Sequence, residues 1–260
     1  MKKFGNKISL TSYRYFKLIL CLFVAILVGF LIIIFSPAPT VSPQNLRISN
    51  VTDSSLSISW TTDKPVRSQV IFSQQENRIL RSLQLSFLYP LLLEKYNIAQ
   101  NEITNPSYTH HVTLKNLKPN SSYYYRIVSN NKVLKTDANG KILPDIKTAS
   151  ALEKLSMPQP IFSRVFQSDG KTGAADVLVY LVLIDGENTN LIKSSTLSTF
   201  TDIRGVWSLD LGNLRQFNQE SFHEITKEDL IFLEARSGRY YNSDFQSATL
   251  RQPARFVTLK

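Results

Sequence analysis

His110, His111 and His223 are the three imidazoles of this 260-residue chain, and they bound its acid–base and metal chemistry. Adjacent side chains on a strand point to opposite faces. His110 and His111 therefore cannot converge on one ion from a regular strand, whereas a metal centre needs three or four convergent ligands. No metal site is expected; one histidine is read as a surface strand residue and the other as packed at the edge of a core. The carboxylates Asp185 and Glu187, and Glu228 and Asp229, sit in turn-like or strand-edge contexts and read as solvated rather than as acid–base pairs. The sequence contains no G-x-S-x-G, no P-loop and no H-E-x-x-H, so neither an activated nucleophile nor a phosphate cradle is predicted. The single cysteine, Cys21, lies inside an apolar run, which leaves the rest of the chain without thiol or disulfide chemistry. The expectation is a protein that is not an enzyme and has no catalytic residues and no cofactor.

The elements that would position any site begin with Leu18 to Phe35 (LILCLFVAILVGFLIIIF), a run without charge or proline. At a helical rise of about 1.5 Å per residue it reaches roughly 27 Å, close to the roughly 30 Å hydrocarbon core of a bilayer. Helix is required there, because a lipid-exposed strand would leave backbone groups unpaired. Residues 1–17 carry Lys2, Lys3, Lys7, Arg14 and Lys17 and no acid. The positive-inside bias keeps this tail in the cytoplasm and sends the C-terminal bulk out. The run is longer than the apolar region of a signal peptide, about 7 to 15 residues. Pro37 and Pro39 follow the candidate cleavage points at Ser36 and Ala38. A single-pass, uncleaved anchor in the cell membrane is therefore expected over 18–35, with the bulk extracytoplasmic.

The net charge is +10, half of it from the tail. The remainder is dispersed and forms no arginine-rich stripe, which argues against a nucleic-acid partner. Residues 36–43 (SPAPTVSP) form a proline-rich, semi-rigid spacer. Beyond it, Leu46 and Ile48, then Leu56, Ile58 and Trp60, then Val70 and Phe72 recur at period two between polar neighbours, as half-buried strands do. Tyr108 to Leu114 and Ser122 to Val128 alternate in the same way. Short strands with turn residues between them and no helical period predict a sandwich.

The stretches PQNLRISNVTDSSLSISWTTDKP and YTHHVTLKNLKPNSSYYYRIVSN resemble a fibronectin type III domain, over about residues 41 to 149. The resemblance makes Trp60 the core tryptophan of the second strand. It makes Leu117, Pro119 and Tyr123 an L-x-P-x-x-x-Y corner, in which the tyrosine hydroxyl bonds to upstream backbone. With His110-His111 ahead of Val-Thr-Leu and Tyr124-Tyr125-Arg126 after, the version is most similar to the N-terminal domain of purple acid phosphatases. The metal-bearing loops of their separate catalytic domain are absent from this sequence, so the resemblance implies no turnover here.

After a linker at 150–160, Ile161 to Phe166 leads into the turn Gln167-Ser-Asp-Gly-Lys-Thr-Gly173. Val177 to Ile184 is a continuous apolar run, which suits a central strand covered on both faces. Leu197 to Thr201 and Val206 to Leu211 read as a hairpin around Asp202-Ile-Arg-Gly205, with Asp202 and Gly205 as turn formers and Trp207 facing the core. This order resembles the carboxypeptidase regulatory-like, or transthyretin-like, fold and the related collagen-binding B repeat, over residues 161–260. Such repeats often carry a Lys–Asn isopeptide bond. Here the first strand lacks the lysine and the last strand lacks the asparagine, while Glu234 could stand in for the acid.

Between Gln75 and Pro106 the first module is longer than a strand connection requires. Nine of the sixteen residues from Arg78 to Leu93 are Ile, Leu or Phe, too apolar for an ordinary loop. Leu80, Leu83, Phe87 and Leu91 share a helical face, though Pro90 should kink or break a helix there; Leu83, Leu85 and Phe87 could instead alternate as a strand. The segment either covers its own sandwich or stays exposed as an interaction patch. The predicted fold class is all-β: two immunoglobulin-like β-sandwich modules, 44–149 and 161–260, in tandem behind one N-terminal transmembrane helix. The expected role is an adhesive, scaffold or spacer module with a protein or cell-envelope glycan partner. The alternative is an accessory subunit or remnant of a surface hydrolase of the metallophosphatase type.

Overall fold

The computed structural model describes residues 19–26, 41–74, 97–130, 132–154, 156–238, 240–248 and 254–260. Residues 19–26 are helical and exposed. The rest of the apolar run at 18–35, where a spanning helix is expected, lies outside the described residues, as do residues 1–17 and the patch residues Leu80, Leu83, Phe87 and Leu91. Among the described residues no helix is long and apolar enough to cross a membrane. Val41–Lys260 forms one compact unit, mostly of β-strand.

The first sandwich contains β1 (Gln44–Ser49), β2 (Leu56–Val66), β3 (Ser68–Ser73), β4 (Asn97–Gln100), β5 (Ser107–Leu114), β6 (Ser122–Ser129), β7 (Lys132–Leu134) and β8 (Ile146–Lys147). One sheet has the order β1-β2-β5; the other runs β4-β3-β6-β7, with β8 also on β6. Together the two sheets make a β-sandwich. The alternation explains it: Leu56, Ile58 and Trp60 on β2 turn inward against Val112 and Leu114 on β5 and meet Val70, Phe72, Tyr125 and Ile127 from the other sheet. Trp60 is fully buried. Of the long connection expected over 75–106, the described part carries β4, an edge strand that pairs antiparallel with β3 from Gln69↔Gln100 to Phe72↔Asn97.

Leu117 is buried in this core, and Pro119 starts the turn that leads into β6. The Tyr123 ring is buried, and its hydroxyl accepts the Lys118 backbone N–H at 2.8 Å. Tyr123→Phe is expected to cost about 1 kcal/mol, because the N–H loses its acceptor while the ring stays in place. Urea unfolding of residues 41–260 checks this, and an unchanged midpoint would show that water replaces the bond.

The second sandwich contains β9 (Pro160–Phe166), β10 (Leu178–Asp185), β11 (Leu197–Phe200), β12 (Val206–Asp210), β13 (Asp229–Ser237), β14 (Tyr240–Ser247) and β15 (Val257–Thr258). Its sheets are β11-β10-β13-β14 and β12-β9-β15. The apolar run on β10 sits between β11 and β13, with Val179, Leu181 and Leu183 in the core beside Trp207, Leu214, Ile231 and Leu233. The hairpin expected over 197–211 is corrected: β11 and β12 belong to different sheets, so the turn between them is an arch from one sheet to the other. The Asp202 carboxylate closes that arch by accepting the backbone N–H of Arg204 (2.8 Å) and Val206 (2.9 Å). Gly205 has φ +76°, and a Cβ there would lie 2.3 Å from the Val165 carbonyl oxygen. Both the left-handed backbone and the close approach therefore call for glycine.

Candidate functional site at the joint between the sandwiches

Strand β2 is buried on both faces through its first seven residues. Leu56, Ile58 and Trp60 fill the first core, while Ser57, Ser59 and Thr61 turn the other way and are buried as well. What covers them is the face of the β11-β10-β13-β14 sheet that points away from the second core. Two sheet faces that alternation alone would leave to solvent thus pack on each other, and their polar side chains must find partners there.

They do so in two clusters. In the first, the Arg47 guanidinium donates through Nη2 to both carboxylate oxygens of Glu234, each at 2.8 Å. Arg236 Nε donates to the same carboxylate at 2.9 Å. The Arg47 head lies 4.4 Å from the centre of the Tyr180 ring, and the Tyr180 hydroxyl is 2.8 Å from Ser59 Oγ. Burial raises the phenol's pKa, against the lowering effects of the Ser59 bond and the Arg47 charge. Glu234, which the sequence offers as a stand-in for an isopeptide acid, is held here between two guanidiniums.

The second cluster is centred on Ser198 of β11. Its backbone N–H donates to Asn50 Oδ1 at 2.8 Å, and its carbonyl accepts from Asn50 Nδ2 at 2.9 Å. The Asn50 amide side chain thus pairs with the strand as a neighbouring backbone would. Ser198 Oγ is 2.6 Å from Ser49 Oγ and 2.9 Å from His111 Nε2. His111 Nδ1 lies 3.2 Å from Glu102 Oε1, which also accepts from Thr113 Oγ1 at 2.5 Å. Burial raises the Glu102 pKa, but the bond and charge of His111, the Thr113 bond and the Lys115 charge bring it below the usual carboxylate value. The carboxylate is therefore ionised at neutral pH and only accepts. His111 Nδ1 therefore faces an acceptor, while its Nε2 faces the Ser198 hydroxyl.

Glu102, His111 and Ser198 have the connectivity of an acyl-transfer triad, and no sequence motif announced it. The geometry does not give access: Ser198 is 3% exposed and His111 3% exposed, with the Ser198 hydroxyl already between Ser49 and His111. A substrate carbonyl has no approach to this oxygen while the two sandwiches are joined. With Ser49, the relay ties β1, β5 and the loop after β4 of the first sandwich to β11 of the second. His111, read from the sequence as a surface residue or a core-edge residue, is an interface residue. His110 on the other face is fully buried and stacks on Trp60, with centroids 5.0 Å apart and planes at 21°; its nitrogens lie 3.2 Å from Thr62 Oγ1 and 3.2 Å from Asn101 Nδ2. The two rings point apart, as the strand requires.

A third cluster corrects the reading of Asp229 as solvated. Its carboxylate is fully buried and takes Lys193 Nζ at 2.6 Å, His223 Nε2 at 3.0 Å and the Thr226 backbone N–H at 2.8 Å. Burial pushes the carboxyl up, but the bonds from Lys193, Thr226 and His223 outweigh it and hold its pKa at about 2. This network anchors the start of β13 to the β10–β11 connection. Among the described residues no group of three or more histidine, cysteine and acidic side chains is placed to hold a metal ion.

Residues 43–139 match the family described as purple acid phosphatase, N-terminal domain, which covers β1 to β7 of the first sandwich and well under half of the chain. No curated protein matches the sequence. Among solved structures, the FN1–FN3 domains of chicken CNTN1 are similar over 85% of this chain and 67% of that one, at 11% identity and a TM-score of 0.27. A streptococcal ancillary pilin is similar over 74% of this chain at 12% identity and a TM-score of 0.27, and this chain spans 61% of its length. The shaft pilin SpaA from Lactobacillus rhamnosus GG is similar over 85% of this chain and 96% of its own, at 9% identity and a TM-score of 0.24. At such identities the likeness carries no ligand or activity across. The match that bears on this chain is the one to a phosphatase's N-terminal, non-catalytic domain.

Proposed function

We propose that this chain is a membrane-anchored, extracytoplasmic, non-catalytic surface protein in which two joined sandwiches hold an interaction face away from the bilayer as an adhesive, scaffold or spacer. The observation that carries the reading is the joint. The serine and histidine that could do chemistry, Ser198 and His111, are buried in it and occupied by bonds that fix one sandwich on the other, while Glu102 stands at its solvent-facing rim. The anchor rests on the charge-free run 18–35 behind a basic tail. Our reading of the second sandwich as carboxypeptidase regulatory-like rests on its strand order and the Asp202–Trp207 arch. A second reading, an accessory subunit to a surface metallophosphatase, is favoured by the family match over residues 43–139. A phosphatase catalytic chain that co-purifies with this one would select it.

The test is fractionation of cells carrying the full chain. The protein is expected in the membrane fraction after an alkaline wash, with Met1 retained and residues 41–260 open to protease from outside. A soluble mature form with its N-terminus near Thr40 would overturn the anchor.

A further inference from the structure

The outer face of the β12-β9-β15 sheet departs from the polar surface expected of an exposed strand face. On β9, Ile161, Ser163 and Val165 turn into the core, and Phe162, Arg164 and Phe166 turn out. Phe256, just before β15, is 64% exposed and meets Phe166 edge to face, with centroids 5.4 Å apart and planes at 86°. Phe162 is 46% exposed. With Val206, which pairs with Arg164 across the strands, and with Arg204 from the arch, these side chains line an open groove of about 450 Å³. Among the described residues Arg164 has no carboxylate within ion-pair distance. Arg204 pairs with Asp202 at 3.1 Å, largely in solvent.

We propose that this groove docks an extended acidic–apolar peptide segment of a protein partner. Two features select that chemistry. Guanidiniums between phenyl rings complement carboxylates carried beside apolar side chains. Same-face side chains of a strand repeat at about 6.6 Å, so Phe162, Arg164 and Phe166 offer apolar, cationic and apolar positions in register with an extended peptide whose same-face side chains run apolar, acidic, apolar. A glycan fits less well, because its hydroxyls need several donors and acceptors. The one hydroxyl-bearing residue of the lining, Ser163, turns its hydroxyl inward and donates to the Ala254 carbonyl at 2.7 Å. The inference deepens the binding-module reading and rests on it, but needs no membrane.

Residues 41–260 hold both cores in one compact unit and serve as the test protein. The probe is a fluorescein-labelled peptide whose two faces, under the alternation of an extended strand, each read Leu-Glu-Leu; the control has lysine in place of each glutamate. Fluorescence anisotropy is expected to show the acidic peptide binding at least tenfold more tightly than the lysine control, and more weakly as salt rises. Arg164→Glu and Phe256→Ser should each weaken it at least tenfold while leaving the melting temperature unchanged, since both side chains are on the surface. Equal binding of the two peptides, no binding of either, or binding indifferent to both substitutions would overturn the proposal. So would capture of phosphatidylglycerol vesicles or heparin, but not of the peptide, with loss on the same substitutions. A failure of the fractionation test would leave this result standing, because it concerns the anchor alone.

Discussion

Trp60→Ala is expected to lower the stability of residues 41–260 by about 3–5 kcal/mol, the usual cost of deleting a fully buried tryptophan. The ring has no exposure, stacks on His110 and lies in the cluster that unites both sheets of the first sandwich. Against a typical total of about 5–15 kcal/mol for a domain, the change takes a large share. The manner of unfolding tests the joint as well. Trp60 is in one core and Trp207 in the other, yet the first sandwich rests on the second through Ser59 of β2 on Tyr180 and through Arg47 of β1 on Glu234. Loosening the first sandwich strips Glu234 of one guanidinium and exposes the Ser198 cluster. The variant should therefore melt in one transition at a lower temperature, by calorimetry. Two separated transitions, with the upper one at the wild-type position, would show that the joint does not couple the sandwiches.

Acidification from pH 6.5 to pH 4 is expected to remove about 3 kcal/mol from the same unit through one residue, His110. Burial drives its pKa down to about 4 from an ordinary value of 6.5. Between those values the unfolded chain holds a proton that the folded chain refuses, so stability rises with pH across the window and falls as pH drops through it. A shift of about 2.5 units at about 1.36 kcal/mol each sets the size. Below pH 4 this loss is complete, and Asp229 takes over: its folded pKa of about 2 lies below the ordinary 3.8, so its contribution, present above pH 3.8, is lost as pH falls toward 2. His110→Phe keeps a ring against Trp60 and removes the proton. Urea midpoints of this variant should be flat between pH 6.5 and 4.5 and fall only in the lower window. A wild-type midpoint that does not move between pH 6.5 and 4.5 would refute the burial argument.

The sequence by itself determined the strands of both cores, because a half-buried strand writes its inward face as a period-two apolar pattern. Leu56, Ile58 and Trp60 on β2 and the run through Val179, Leu181 and Leu183 on β10 are legible in that way. The arch at Asp202–Gly205 is legible as turn chemistry, though not as a crossing between sheets, since the same four residues can close either a hairpin or an arch. The tertiary structure alone decided the fate of the outward faces. Ser57, Ser59 and Thr61 have the same residue types whether they meet water or another polar sheet, so alternation cannot separate the two cases. Arg47 and Glu234 are 187 residues apart, and a pair at that separation has no period to reveal it. The Glu102–His111–Ser198 relay was hidden for the same reason. Its members come from a loop of the first sandwich, from β5 and from β11, and only the packing of one sheet's polar face on the other's brought Ser198 within bonding distance of His111 and closed those two off from solvent.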